Sequence, residues 1–153
     1  FELGVCYDQG VGVDKDPISA AAYYRRAVES GDMRGAAPLA MCMLQGKGVP
    51  IDVPSAMELL WKGAQAGRPD AQSMLGICLS KGTGGATNLA EALTWMQRAA
   101  EQEYAEAQYN LGIAYSLGLG TVQNRELALL WMEKAAAQGY QKAKETLARW
   151  KKP

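Results

Sequence analysis

Three cysteines are the most reactive side chains in this 153-residue chain, and they stand one fixed interval apart, at Cys6, Cys42 and Cys78. Thiolates can attack carbonyls, ligate metals or pair as disulfides. A disulfide needs Cα atoms about 4.4–6.8 Å apart. Equivalent residues of stacked helical repeats are separated by roughly 10 Å, one helix-packing distance. The three thiols are therefore read as small buried hydrophobes. Histidine is absent, which removes the commonest general base and the commonest nitrogen ligand for zinc. No serine begins an S-x-x-K, so a serine nucleophile has no visible activator. The Gly-x-Gly pairs at Gly10, Gly46, Gly82 and Gly118 invite comparison with phosphate-cradling loops. Such loops follow a strand in a βαβ unit, and no strand pattern or G-x-x-x-x-G-K-[ST] is present. The carboxylate pairs Asp14 with Asp16 and Glu101 with Glu103 fall near helix ends, where capping or solvation is the default role. No catalytic residue, cofactor site or metal site is assigned.

The totals narrow the partner class. Sixteen basic and 16 acidic residues cancel, so no net field draws the chain to nucleic acid or to an anionic membrane. Lys142, Lys144, Arg149, Lys151 and Lys152 form a small basic tail, but only Trp150 interleaves with them, and the tail is read as a soluble cap. Apolar runs are far shorter than the ~20 residues that span a bilayer, so no membrane insertion is expected. No signal-peptide pattern opens the chain. The odd, unpaired cysteine set favours a reducing, cytoplasmic compartment; a periplasmic one stays open, because Phe1 falls in mid-helix. The oligomeric state is not legible.

The cysteine interval belongs to the whole chain. Leu3, Leu39, Leu75, Leu111 and Leu147 recur every 36 residues, each followed by glycine or alanine. A period of this length marks a repeat architecture. In the fourth copy Ala107, Leu111, Ala114 and Tyr115 share one helical face. Gly118 and Gly120 then break the helix, and Leu127, Ala128, Trp131 and Ala135 mark a second one. Asp16, Asp52, Asn88 and Asn124 follow the turns at one fixed offset and are predicted N-caps. Pro17 and Pro69 fit a first helical position, whereas Pro38 should delay or kink its helix. Gly31, Gly67 and Gly139 close three repeats; Glu103 stands at the fourth such position.

These residues resemble the Sel-1-like repeat, a relative of the tetratricopeptide repeat. The first copy matches at Leu3, Gly4, Tyr7, Gly10, Gly12, Val13, Asp16 and Ala20; the fourth matches from Ala107 through Gly139. The resemblance implies an all-α fold, a right-handed α-solenoid superhelix of antiparallel helix pairs. The expected division is a single repeat domain: a truncated repeat 1–31, repeats 32–67, 68–103 and 104–139, and a capping helix in 140–153. A cap of that kind would cover the apolar end of the stack.

The resemblance also implies that first helices line a concave surface. With the repeat leucine at zero and about 100° per residue, the open face comprises positions −5, −2, +2, +5 and +6. In the second repeat these are Arg34, Ala37, Met41, Leu44 and Gln45; in the third, Asp70, Ser73, Ile77, Ser80 and Lys81; in the fourth, Glu106, Tyr109, Ile113, Ser116 and Leu117. Position +2 is apolar in every copy: Val5, Met41, Ile77 and Ile113. Apolar surface rimmed by polar groups marks interaction sites; packing against the next repeat is the competing reading. Trp95 and Trp131 are assigned to the core. The expected function is non-catalytic binding of a partner protein or peptide, as adaptor or scaffold. Met41, Leu44, Ile77, Tyr109, Ile113 and Leu117 would serve as anchors, and Arg34, Lys81 and Glu106 would set register. The family also includes immunity proteins that neutralise a toxic secreted effector, which is the alternative.

Overall fold

The computed structural model describes residues 1–150; Lys151 and Lys152 of the basic tail lie outside them. Among the described residues the regular structure is helical throughout. The helices are α1 (Glu2–Gln9), α2 (Pro17–Glu29), α3 (Ala36–Gln45), α4 (Val53–Gln65), α5 (Pro69–Lys81), α6 (Leu89–Glu101), α7 (Ala105–Leu117), α8 (Arg125–Ala137) and α9 (Gln141–Trp150). They alternate as first and second helices of successive repeats, and α9 is one more first helix. The chain divides into two compact units, Phe1–Ala71 and a second beginning at Gln72.

Local signals set the helix boundaries. The side chains of Asp16, Asp52, Asn88 and Asn124 accept the N–H of Ile18, Ser55, Glu91 and Leu127 at 3.0, 3.1, 3.2 and 3.0 Å. Each satisfies a donor that has no partner within its helix. Hydrogen bonds from Ser19 and Ser55 hold the Asp16 and Asp52 carboxyls below the usual carboxylate range. Pro38 has the expected effect. Its repeat opens with a 3-10 turn, Met33–Gly35, and α3 has 10 residues where α5 and α7 have 13.

The two helices of a repeat meet where the leucine is followed by a small residue. A Cβ on Gly76 would stand 2.7 Å from Met96 Cγ and 2.9 Å from the Ala92 carbonyl; one on Gly112 would stand 3.1 Å from the Ala128 carbonyl. The leucine itself supplies the core: Leu39, Leu75 and Leu111 are buried, Leu75 and Leu111 completely. Leu3 differs, at 55% exposed. In the second unit Ala107 and Leu111 pack on Ala99 and Ala100, bordered by Leu93, Tyr104, Tyr115 and Trp131. A second cluster of Met132, Ala135 and Ala143 carries Tyr109, Ile113, Tyr140, Leu147 and Trp150 against it. Trp95 is buried and Trp131 partly so, with Arg98 and Lys134 over their rings. Cys42 and Cys78 are buried free thiols and Cys6 is half-buried. Burial pushes the Cys42 and Cys78 thiols up, away from the reactive thiolate.

Two buried amides join neighbouring elements of the second unit. Gln102 Nε2 donates to Gln72 Oε1 at 2.7 Å, and Gln138 Nε2 donates to Gln108 Oε1 at 2.8 Å. Gln108 Nε2 in turn donates to the Ala100 carbonyl at the end of α6, at 3.2 Å. Every member is then paired, which is the condition for a buried polar group to be tolerated.

Among the described residues, eleven glycines and Glu103 take positive φ. Gly120 takes φ +71, and a Cβ there would lie 2.3 Å from the Leu89 carbonyl at the start of α6. Gly12 has φ +74 with nothing within 4 Å. At the repeat-closing position Glu103 takes φ 61, whereas Gly31, Gly67 and Gly139 take 86, 81 and 89. A side chain in this region is strained by about 1–2 kcal/mol. Replacing Glu103 with glycine should therefore raise stability by about 1 kcal/mol, read as a higher urea midpoint, whereas Glu103→Ala should give no gain. Gly12→Ala should cost about 1–2 kcal/mol from dihedral strain alone. Gly120→Ala should cost about 1–3 kcal/mol more, because a backbone clash is added. Equal losses at the two positions would show that the close approach to α6 carries no energy.

Candidate functional site

The site begins with the +2 side chains of the second unit. Ile77 on α5 and Ile113 on α7 are half-buried and line one open cavity of about 310 Å³. The second helix of the pair, α6, closes it from one side with Leu89, Leu93 and Met96. These three lie at i, i+4 and i+7, one helical stripe. Leu119 of the following turn, Asn110 of α7 and Lys142 of α9 also line it. Lys81 and Glu106, expected to set register, are on its border. The structure thus brings Ile77, Lys81, Glu106 and Ile113 together, although they come from two repeats.

Each polar group has a definite setting. The Tyr104 hydroxyl donates to Glu106 Oε2 at 3.4 Å, and Ser80 Oγ donates to the Ile77 carbonyl at 2.8 Å. Asn110 Nδ2 is buried with no hydrogen-bond partner. Burial, with Glu106 and Tyr109 nearby, pushes the Tyr140 hydroxyl up. The cavity thus has an apolar lining of Ile77, Leu93, Met96 and Ile113, bordered by Ser80, Lys81, Glu106, Asn110 and Lys142.

Other expected residues stand elsewhere. Tyr109 turns towards the start of α9, its ring 5.4 Å from that of Tyr140 just before that helix. Ile113 packs on the same cluster as well as lining the cavity. Leu117 is 65% exposed at the end of α7. In the first unit, Met41 and Leu44 are half-buried on α3, with Gln45 Nε2 2.9 Å from the Met41 sulfur. Arg34 pairs with Asp32 and Glu2 and lies 4.8 Å over the Phe1 ring. Its guanidinium holds the Asp32 carboxyl down to about 2.

The angular map fails at position −2. Ala37 and Ser73, expected on the open face, are 3% and 1% exposed. Tyr109 gives the physical reason: the side opposite the leucine is itself covered in part, here by the next first helix. The map also missed Leu93, Met96, Asn110 and Lys142. The α6 stripe of Leu89, Leu93 and Met96 is visible in the sequence, but nothing in one helical period tells which neighbouring helices it faces.

The Sel1 repeat pattern matches residues 1–32, 36–67, 69–104 and 105–140. The solved structure of c5321, described as a protective antigen of uropathogenic Escherichia coli with an SLR fold, is 36% identical with a TM-score of 0.82. The match covers 95% of this chain and 31% of that one. A Sel1 repeat protein from Oxalobacter formigenes is 30% identical with a TM-score of 0.85, covering 97% of this chain and 60% of that one. This chain therefore spans only part of both proteins. Helicobacter pylori cysteine rich protein B, 22% identical over 86% of this chain and 95% of its own, shares the fold with a TM-score of 0.68. No curated protein sequence matches the chain. Sel1 repeats are generally protein–protein interaction modules. With four matched copies and nearly its whole length aligned on solved members, the chain belongs to the Sel1 repeat family.

Proposed function

We propose that this chain is a non-catalytic docking module that acts as an adaptor or scaffold. Its second unit would hold a segment of a partner protein in the cavity between α5, α6 and α7. The observation that supports this reading is the convergence of Ile77 and Ile113 with Leu93 and Met96 around one open apolar cavity. Water gains little from such a surface, and an inserted aliphatic side chain would be stabilised by about 25 cal/mol per Å² of area buried. Leu117, exposed on α7, would extend the contact. On the first unit, Met41 and Leu44 would add apolar contacts and Arg34 a charged one.

Hot spots are few and cluster near the centre of an interface, and Ile77 lines the cavity itself, so Ile77 is the position to perturb. Short random peptides displayed on phage are selected on the immobilised chain, and the winners are measured by fluorescence polarisation. Ile77→Asp should weaken binding by about tenfold or more while the far-UV circular dichroism is unchanged. Thr94→Asp, on the exposed side of α6, should leave affinity unaltered. Should Ile77→Asp unfold, Ile77→Thr keeps the branched shape and should still weaken binding several-fold. Selected peptides that bind the folded Ile77 variants as tightly as the wild type would overturn the reading.

A further inference from the structure

The border of the α5–α6–α7 cavity carries an uncompensated charge. Lys81, in the last turn of α5, and Lys142, in the first turn of α9, both line it and are both exposed. Neither ammonium has a hydrogen bond or ion pair among the described residues. The single carboxylate on the same border, Glu106, is half-buried and already accepts from Tyr104. Lys142 is also badly placed for its own helix. A cation in the first turn opposes the helix macrodipole, which favours acidic groups there, and the first turn of α9 contains none. The border therefore sets two free cations against one engaged anion, around a floor of Ile77, Met96 and Ile113.

We infer that the partner segment docked in this cavity is acidic and aliphatic. An aliphatic side chain fills the space over Ile77 and Ile113, and carboxylates on either side of it meet Lys81 and Lys142. A basic segment would place its cations beside two unpaired ammoniums. An uncharged one would leave both lysines unmatched as the cavity is covered and the local dielectric falls. The inference rests on the docking reading above and adds the chemistry of what docks.

The same peptide selection tests it, with sequence as the first readout. Winners from the wild-type chain should be enriched in Asp or Glu beside Leu, Ile or Val, and their affinity should fall between about 0.05 and 0.5 M salt as screening grows. Lys81→Glu combined with Lys142→Glu, two changes at exposed positions, should weaken the acidic winners by about tenfold. Peptides with their acidic residues changed to lysine should regain binding to that double variant. Winners that need Ile77 but show no acidic enrichment, and bind the double variant equally well, would overturn this inference while leaving the docking reading in place. A selection with no Ile77-dependent binder would overturn both.

Discussion

The close approach of the two helices within each repeat is the constraint on which the remainder of the structure depends. A methyl group on Gly76 would stand 2.9 Å from the Ala92 carbonyl, and one on Gly112 3.1 Å from the Ala128 carbonyl, so the facing helix leaves little room there. The neighbouring Leu75 and Leu111 are buried completely, and Leu111 packs on Ala99, Ala100 and Ala107 with Leu93, Tyr104, Tyr115 and Trp131 at the border. Alanine supplies much of the buried core, and a small side chain buries little area, so such a core gains from backbones that lie close. The turns follow from the same requirement. Gly120 presses its backbone against the start of α6 in the preceding repeat, where no side chain fits.

Close packing of one side of the first helices also defines what is left for recognition. In the second unit, α5 and α7 each commit a leucine to the core and each present an isoleucine to the cavity that α6 closes. The helix after the last full repeat has two roles. α9 covers Met132 and Ala135 through Ala143, and it carries Lys142 to the cavity border. Tyr109 is drawn to the structural side of that arrangement by its ring contact with Tyr140. Ile113 serves both, since a side chain at the seam between two first helices touches the core cluster and the open surface.

Most of the repeat was legible because its signals act over a few residues. An Asp or Asn four places beyond a turn glycine caps whatever helix follows, and each of the four does so. Pro38 displaced the start of α3 by the same local logic. The candidate site was legible only in part. Ile77, Lys81, Glu106 and Ile113 were found from one helical period, but Met96 and Asn110 needed the relative placement of α6 and α7. Ala37 and Ser73 were misplaced because one helical wheel describes one packed side, and these helices are covered on more than one.

What the sequence determined by itself was therefore the unit: its period, its two helices, their caps and the glycine turns. These follow from dihedral preferences and hydrogen bonds between near neighbours along the chain. Only the tertiary structure decided which repeats enclose a cavity, which amides pair within a repeat, and which lysines on the cavity border are left without partners. Those outcomes depend on side chains some 30 residues or more apart, as in Gln72 with Gln102 or Ile77 with Ile113. A repeated sequence makes such positions equivalent, and packing against different neighbours makes them unlike.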